Sequence, residues 1–158
     1  MFSQCTEVIG RYLKAFTLGR VGRKITCVGG GPASLYFAIL AKRADPEHEV
    51  TVIERGPEGI TYGWGVVFWD GLLEDLERTD PETARQVRDN AFRWSDLIVR
   101  VDATPPVREP GHGYSMRRKT LLGILIERAR ELGVELIFGR EIEDFSELAG
   151  SDLVVAGD

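Results

Sequence analysis

Three consecutive glycines, Gly29, Gly30 and Gly31, stand between a short apolar run and a segment with helical spacing. Glycine in an ordered segment costs chain entropy, so this run indicates a backbone that turns tightly or meets a ligand closely. Ser34 stands at the last position of the spacing G-x-G-x-x-G, and the acidic residue Glu54 follows 20 residues further on. These residue types at this spacing predict a turn that binds the diphosphate of a dinucleotide.

Each position of this turn has its own predicted task. Gly29 makes the tight turn, and Gly31 lets the backbone approach the diphosphate. A helix that begins near Pro32 directs its amide N–H groups and positive dipole end at the phosphates. Ser34 departs from the glycine or alanine that normally fills its position, and because serine is small we expect a slight spreading of the site. Glu54 is expected to bind ribose hydroxyls and to repel the 2′-phosphate of NADP. The alternative is a tight structural turn beside a surface acid.

The elements that must position these residues are a strand, a helix and a second strand. Residues 24–29 are β-branched and apolar and predict a short strand, and Pro32–Ala44 has apolar residues at helical spacing. Glu49–Glu54 alternates between apolar and polar residues and predicts the second strand. A strand–helix–strand crossover implies a parallel, right-handed pair. The predicted fold class is therefore α/β, a Rossmann-like domain with a parallel central sheet.

The rest of the chain extends this α/β pattern and adds a small irregular or β excursion. Residues 55–65 predict a glycine-punctuated loop, and the final strand is expected beside the first. The other predicted elements are helices at 71–78, Pro81–Asn90 (with Asp80 as N-cap) and 118–132 (ended by Gly133), strands at 66–68, 95–102, 134–138 and 152–156, and a loop with an edge hairpin at 103–113.

A basic cluster marks the start of the helix predicted at 118–132. Arg117, Arg118 and Lys119 lie at the positive end of the helix dipole, where each cation is disfavoured by up to about 1 kcal/mol. One interpretation is a solvated basic cluster. The other is that an anion binds there and compensates the charge, and the diphosphate of the dinucleotide is the natural candidate.

The composition of the chain limits which classes of protein it can belong to. The chain has 158 residues, of which 43% are hydrophobic and 28% charged, which is typical of one soluble globular domain. Its net charge of −5 argues against a nucleic-acid partner, and no apolar run approaches the roughly 20 residues that span a bilayer. No metal-ligand spacing is present, so no metal site is expected. Cys5 and Cys27 are interpreted as free thiols in a reducing compartment, which favours a cytoplasmic location.

The N-terminal 23 residues form a basic extension with a single acid, Glu7. They lack the apolar core and cleavage site of a secretory signal. We interpret residues 1–23 as an unstructured extension, with a transit peptide as the alternative, and residues 24–158 as the domain.

Beyond the glycine turn, several pieces of the sequence resemble class A flavoprotein monooxygenases, the FAD-dependent aromatic hydroxylases. These pieces are VGGGPASLYFAILAKRADPEHEVTVIER, YGWGVVFWD, R-x-x-L-L-x-I-L at 118–125 and DLVVAGD at the end. GWGVVF and ADPEHE resemble most the branch of anthraniloyl-CoA monooxygenases and salicylyl-CoA 5-hydroxylases. The resemblance covers residues 24–158, the N-terminal portion of such enzymes.

The resemblance implies a role for each matching position. The glycine turn cradles the FAD diphosphate, Glu54 binds the adenosine ribose, Arg118 reaches the diphosphate and ribityl region, and residues 64–67 run toward the isoalloxazine ring. Trp64, Trp69 and Tyr62 have ordinary packing under a loop as the alternative. The predicted FAD-binding residues are Gly29, Gly30, Gly31, Pro32, Ala33, Ser34, Glu54, Arg55, Trp64, Gly65, Val66 and Arg118.

The implied activity is hydroxylation of a small aromatic substrate with NAD(P)H as electron donor and O₂. The flavin carries this chemistry, so no side chain is assigned as acid, base or nucleophile, and His112 is expected to lie in a loop without a role. Because the family fold is longer, this chain is expected to be inactive alone and to need a C-terminal half or an oligomer. The alternatives are an NAD-binding dehydrogenase domain and a catalytically inactive nucleotide-binding fragment.

Overall fold

The computed structural model describes residues 22–157, so Cys5 and nearly all of the predicted extension lie outside it. Within that range the chain folds into seven strands, four α-helices and one short 3₁₀ turn. In chain order the elements are β1 (Lys24–Val28), α1 (Pro32–Ala44), β2 (Glu49–Glu54), β3 (Gly65–Phe68), α2 (Asp70–Thr79), α3 (Pro81–Asn90), β4 (Phe92–Val99), β5 (Val107–Arg117), α4 (Arg118–Glu131), β6 (Glu135–Phe138), the 3₁₀ turn (Phe145–Leu148) and β7 (Leu153–Ala156).

Four parallel strands form the main sheet in the order β6-β2-β1-β7. In β1, Ile25 lies opposite Val50 of β2 on one side and opposite Leu153 of β7 on the other. The predicted parallel crossover and the predicted place of the last strand beside the first are both confirmed. Because the strands run the same way, all four carboxyl ends meet at one edge of the sheet.

Helix α1 packs between the main sheet and helix α4 and forms most of the core. Its Leu35 and Ile39 are fully buried and belong to one cluster with Leu122 and Leu125 of α4. Cys27 of β1 lies in the same cluster as a free thiol, and burial raises its pKa to about 12. This thiol is therefore a packing residue and not a nucleophile.

A second, antiparallel sheet has the strand order β3-β5-β4, and here the sequence predictions were partly wrong. The strand predicted at 95–102 is β4, three residues earlier. The segment 103–113 was predicted as a loop with an edge hairpin, and β4 and β5 do form an antiparallel hairpin there, but residues 107–113 lie in the long strand β5 and not in a loop. Prolines and glycines in that segment suggested a loop. Pro110 is tolerated because β3 pairs only with the far end of β5, at Tyr114–Arg117, and because the β4 ladder is irregular beside it.

Large apolar side chains remain exposed along this smaller sheet and its neighbouring loop. Val67 of β3 is 58% exposed, Phe92 of β4 is 72% exposed and Val107 of β5 is 65% exposed. The smaller sheet is therefore covered on only part of its surface by residues 22–157. No helix in this part of the chain combines the length and apolar character needed to cross a bilayer.

The placement of Gly123 inside helix α4 can be tested by substitution. This glycine is exposed within the helix, and a Cβ built on it meets no atom within 4 Å. Replacing Gly123 with alanine should therefore raise the free energy of unfolding by about 0.5–1 kcal/mol, because alanine loses less backbone entropy in a helix. Chemical denaturation of both chains measures this, and a destabilised variant would contradict the placement of Gly123 inside α4.

Candidate functional site

The carboxyl edge of the main sheet collects the predicted site residues. Helix α1 leads from the carboxyl end of β1 back to the start of β2, and α4 packs alongside α1 and leads into β6. Both helices are therefore antiparallel to the strands of the main sheet, and both begin at its carboxyl edge. From β1 the chain continues to β2 on one side, whereas β7 lies on the other side of β1. The crevice between β1 and β7 is therefore the topological switch point, where ligands bind in open α/β sheets.

The three glycines at this edge are favoured for two reasons, the backbone conformation at Gly29 and the lack of space for a side chain at Gly30 and Gly31. Gly29 has φ of 101°, a conformation that favours glycine, and its N–H donates to the Ile53 carbonyl at 2.8 Å. A Cβ on Gly30 would lie 2.8 Å from the Cβ of Glu54, and a Cβ on Gly31 would lie 3.3 Å from the Gly157 carbonyl oxygen. The turn is therefore packed closely between the ends of β2 and β7.

Glu54 is held by two backbone N–H groups, one in the glycine turn and one just after β2, and within residues 22–157 by no other side chain. One carboxylate oxygen accepts a hydrogen bond from the Gly30 N–H at 2.6 Å, and the other accepts one from the Gly56 N–H at 2.6 Å. A carboxylate has about four acceptor positions, so each oxygen keeps one for a further donor. The side chain is fixed at the end of β2 with capacity left for the two hydroxyls of a ribose.

The neighbouring Arg55 is directed elsewhere. It is exposed, and its guanidinium lies 4.0 Å from the carboxylate of Glu141. Such a surface pair contributes little. Within residues 22–157 Arg55 makes no side-chain hydrogen bond or ion pair to the glycine turn.

The start of α4 meets the loop that precedes β3. The backbone N–H of Arg118 donates to the Trp64 carbonyl at 3.3 Å, and Gly65 pairs with Arg117 in the smaller sheet. Val66 is half-buried in this sheet, opposite Met116. The predicted residues 64–66 and Arg118 are thus brought together by the β3–β5 ladder.

Arg118 has an unusual guanidinium. Its Nε is buried and has no hydrogen-bond partner among residues 22–157. Nor does the described part of the chain supply an ion pair to Arg117, Arg118 or Lys119, and α4 has neither a capping side chain nor an acid in its first turn. A buried, unpaired donor on a cation is costly, so this helix start fits an anion such as a diphosphate.

The aromatic residues on either side of β3 are not packed beneath a loop. Trp64 is 97% exposed, Tyr62 is 84% exposed and Trp69 is 61% exposed. The alternative of ordinary packing under a loop is therefore not observed for these three side chains.

Two features of this region escaped prediction from the sequence. The first is the contact between Ser34 and Gly157, which joins the first turn of α1 to the chain after β7. The sequence piece DLVVAGD contains Gly157 but does not indicate that Gly157 contacts Ser34. His112, predicted in a loop, lies on β5, and its Nε2 and the Tyr114 hydroxyl both hydrogen-bond to Asp70. These two bonds hold the pKa of Asp70 below its usual value.

Within residues 22–157 no cluster of acids, histidines and cysteines is arranged to hold a metal ion.

The parallel sheet, glycine turn and flanking helices define a Rossmann-like α/β fold. Within that class, the chain is 42% identical over 138 residues to a salicyloyl-CoA 5-hydroxylase of a Streptomyces species, covering 85% of this chain and 26% of that protein. It is 35% identical over 136 residues to the 3-hydroxy-4-methyl-anthranilyl-(aryl-carrier protein) 5-monooxygenase of Streptosporangium sibiricum, covering 85% of this chain and 38% of that protein. The resemblance to monooxygenases is confirmed, and the chain spans about a quarter to two fifths of these relatives. No family model matches the sequence.

Solved structures agree with this assignment of the fold. A tetrameric form of 2-methyl-3-hydroxypyridine-5-carboxylic acid oxygenase matches with a TM-score of 0.65 and 25% identity, over 78% of this chain and 33% of that one. The protein CtdE, solved in complex with FAD, matches with a TM-score of 0.61 and 18% identity, over 78% of this chain and 31% of that one. The predicted α/β fold class is confirmed.

Proposed function

We propose that the chain forms the FAD-binding portion of a flavin-dependent monooxygenase that hydroxylates a small aromatic substrate. The observation that carries this proposal is the convergence of three features at one sheet edge: the glycine turn, Glu54 with free acceptor capacity and the unpaired Arg118 guanidinium. The named activities of the relatives favour an aromatic acyl thioester as substrate. NAD(P)H is proposed as electron donor, and the cytoplasm as the location.

In this proposal the residues divide the cofactor between them. The first-turn amides of α1 have no partner inside the helix and face the diphosphate, with Pro32 and Ala33 setting the helix start. Glu54 accepts from the ribose hydroxyls, and Arg118 neutralises the diphosphate. Residues 64–66 extend toward the ring system. When bound, FAD supplies the redox chemistry, and the protein orients it and excludes water.

The rest of the enzyme is proposed to come from outside residues 22–157. The chain spans only 26% and 38% of the first two relatives, whose activities belong to the longer proteins. The exposed apolar side chains of the smaller sheet are proposed to pack against that remainder, in the same polypeptide or in a second one. By itself the chain is proposed to bind FAD without hydroxylating a substrate.

An NAD-binding dehydrogenase domain is the competing function. Glu54 would hold the ribose of NAD equally well, so the acid does not discriminate between the cofactors. The basic start of α4 and the GWGVVF segment favour FAD, because a dehydrogenase site does not require them.

A visible absorption spectrum of the purified chain, recorded before and after addition of FAD and followed by acid release of the chromophore, tests the proposal. A yellow protein that releases FAD is the expected result. A folded, colourless chain that ignores FAD and binds NADH would replace the proposal with the dehydrogenase domain.

The role of Glu54 predicts a specific loss of affinity. In Glu54→Gln the amide NH₂ must face the N–H of Gly30 or Gly56, and one ribose acceptor is lost. The FAD dissociation constant should rise about tenfold to a hundredfold, the range for lost hydrogen bonds to a charged group. Glu49→Gln, on the exposed amino end of the same strand, is the matched control. Equal FAD binding by both variants, measured by flavin fluorescence titration, would remove Glu54 from the site.

A further inference from the structure

His48 is a buried histidine to which the proposed function gives no task. It lies in the ADPEHE turn between α1 and β2, and only 7% of its surface is exposed. Asp45 holds this turn, because its carboxylate accepts from the Glu47 N–H at 3.0 Å and its carbonyl accepts from the His48 N–H at 3.1 Å. The imidazole is therefore placed at the amino edge of the main sheet, opposite the candidate site.

The ring of His48 ties the start of β1 to this turn. Its Nδ1 accepts a hydrogen bond at 3.1 Å from the backbone N–H of Arg23, the residue before β1. The Arg23 carbonyl accepts from the Glu49 N–H at 2.9 Å, and a Cβ built on Gly22 would lie 2.0 Å from the Glu47 carbonyl oxygen. The chain that leads into β1 therefore lies directly on the turn. Because Nδ1 is an acceptor there, the neutral ring carries its proton on Nε2.

The same ring nitrogen faces a second partner. A carboxylate oxygen of Asp45 lies 4.0 Å from Nδ1 of His48, which is ion-pair distance. A protonated imidazole has a donor on both nitrogens and no acceptor. A proton on Nδ1 therefore places two donors face to face at the Arg23 N–H, and it turns the contact with Asp45 into a charge-assisted one. The two protonation states of one ring favour different partners.

The charges around the ring act in opposite directions. The Lys42 ammonium of α1 donates to the His48 carbonyl at 2.9 Å and to the Pro46 carbonyl at 2.6 Å, so it opposes a positive charge on the ring, whereas Asp45 favours one. The other charged residues of the segments that meet here are Arg23, Lys24, Glu47, Glu49 and Asp152. Within residues 22–157 Asp45 is the carboxylate paired with this ring, so it is the acceptor that a proton on Nδ1 would meet.

We propose that His48 is a pH-dependent fastening for the start of β1. The neutral ring holds the Arg23 N–H, and the protonated ring pairs with Asp45 and releases that N–H. Imidazole is the side chain that ordinarily changes its charge between pH 5 and 8, so the release falls in that range. Residues 1–21 join the described fold at this point, and the fastening does not depend on the proposed cofactor.

Hydrogen exchange of the Arg23 amide, followed by NMR at pH 7.5 and at pH 5.5 and corrected for the intrinsic rate, tests this fastening. In wild type the protection factor should fall about fivefold to tenfold at the lower pH, the factor for one net hydrogen bond, while that of the Cys27 amide within β1 stays constant. His48→Asn carries an acceptor oxygen close to the place of Nδ1 and does not titrate, so it should keep its Arg23 protection at both pH values. His112→Asn removes the exposed histidine and should leave the wild-type fall unchanged.

The NMR signals of the imidazole nitrogens give a second readout. His48 should carry its proton on Nε2 at pH 7.5 and gain one on Nδ1 at pH 5.5. Asp45→Asn keeps an oxygen for the Glu47 N–H but removes the partner of the charged ring, so release of the Arg23 amide should need a lower pH than in wild type. Arg23 protection that is the same at both pH values, an equal fall in His48→Asn, or an equal fall at Cys27 would each overturn the proposal.

Discussion

Replacing Gly157 with alanine is expected to destabilise the chain by about 3 kcal/mol, the upper end for overpacking a filled site. The added Cβ would lie 1.6 Å from the Ser34 hydroxyl oxygen and 2.9 Å from the Ser34 Cβ. Rotating the Ser34 side chain removes only the clash with its hydroxyl, because the Ser34 Cβ stays 2.9 Å from the added Cβ. The backbone of residue 157 must therefore leave its place beside Val28, and β7 loses its fixed end.

A second substitution separates this clash from other effects of alanine. In the double variant Ser34→Gly with Gly157→Ala, the nearest remaining atom is the Cα of residue 34 at 3.4 Å, an ordinary contact. Chemical denaturation should therefore show the double variant to be more stable than Gly157→Ala alone. Gly71→Ala, inside α2 where a Cβ meets nothing within 4 Å, is the control and should be no less stable than wild type. Wild-type stability of Gly157→Ala would show that the chain after β7 can move away from Ser34 without loss.

The parts of the fold that were predicted correctly have strong local signals. The bounds of α1 and β2 agree with the prediction, because a proline starts the helix, turn residues follow it and alternation marks the strand. The glycine turn and Glu54 follow from the same local signals. Their hydrogen bond was not predicted, since a spacing of residues does not say which donors a carboxylate reaches.

The parts that were not predicted depend on residues distant in the sequence. Pro110 in β5 indicates a loop when read locally, and the limited reach of β3 together with the irregular β4 ladder makes a strand acceptable there. Ser34 and Gly157 meet only because the sheet places β7 beside β1. Asp80 was predicted as the N-cap of α3 and does occupy that position, but its side chain makes no capping bond. Its partners are side chains of α1, α3 and α4 instead.

Asp80 joins three helices through a buried carboxylate. Its side chain has no exposed surface and accepts hydrogen bonds from the Nε and Nη2 of Arg128 at 2.9 and 3.0 Å. An Nη1 of Arg43 lies 2.9 Å from the same carboxylate, and the Thr83 hydroxyl donates to it at 2.7 Å. Because Arg128 is on α4 and Arg43 is on α1, this carboxylate fixes how the two helices that begin at the candidate site lie together.

The ionisation of Asp80 follows from these partners. Burial by itself would raise the pKa of Asp80, but the hydrogen bonds from Arg128 and Thr83 and the nearby guanidinium charges hold it below the usual value. A carboxylate whose pKa is lower in the folded chain stabilises the fold above its unfolded pKa of about 4. That stabilisation is lost as the pH falls through the lower, folded pKa.

Replacing Asp80 with asparagine should therefore have the largest effect on stability, a loss of about 3–5 kcal/mol at neutral pH, because it leaves the largely buried Arg128 charge without its partner. Asp75→Asn, which removes an exposed ion pair with Arg78, is the control and should change stability by less than about 1 kcal/mol. Denaturation curves from neutral pH to pH 3 give the second readout. Wild type should lose stability below about pH 4 more steeply than Asp80→Asn. If the two chains lose stability in parallel, the Asp80 carboxylate is not what holds α4, and with it Arg118, against α1.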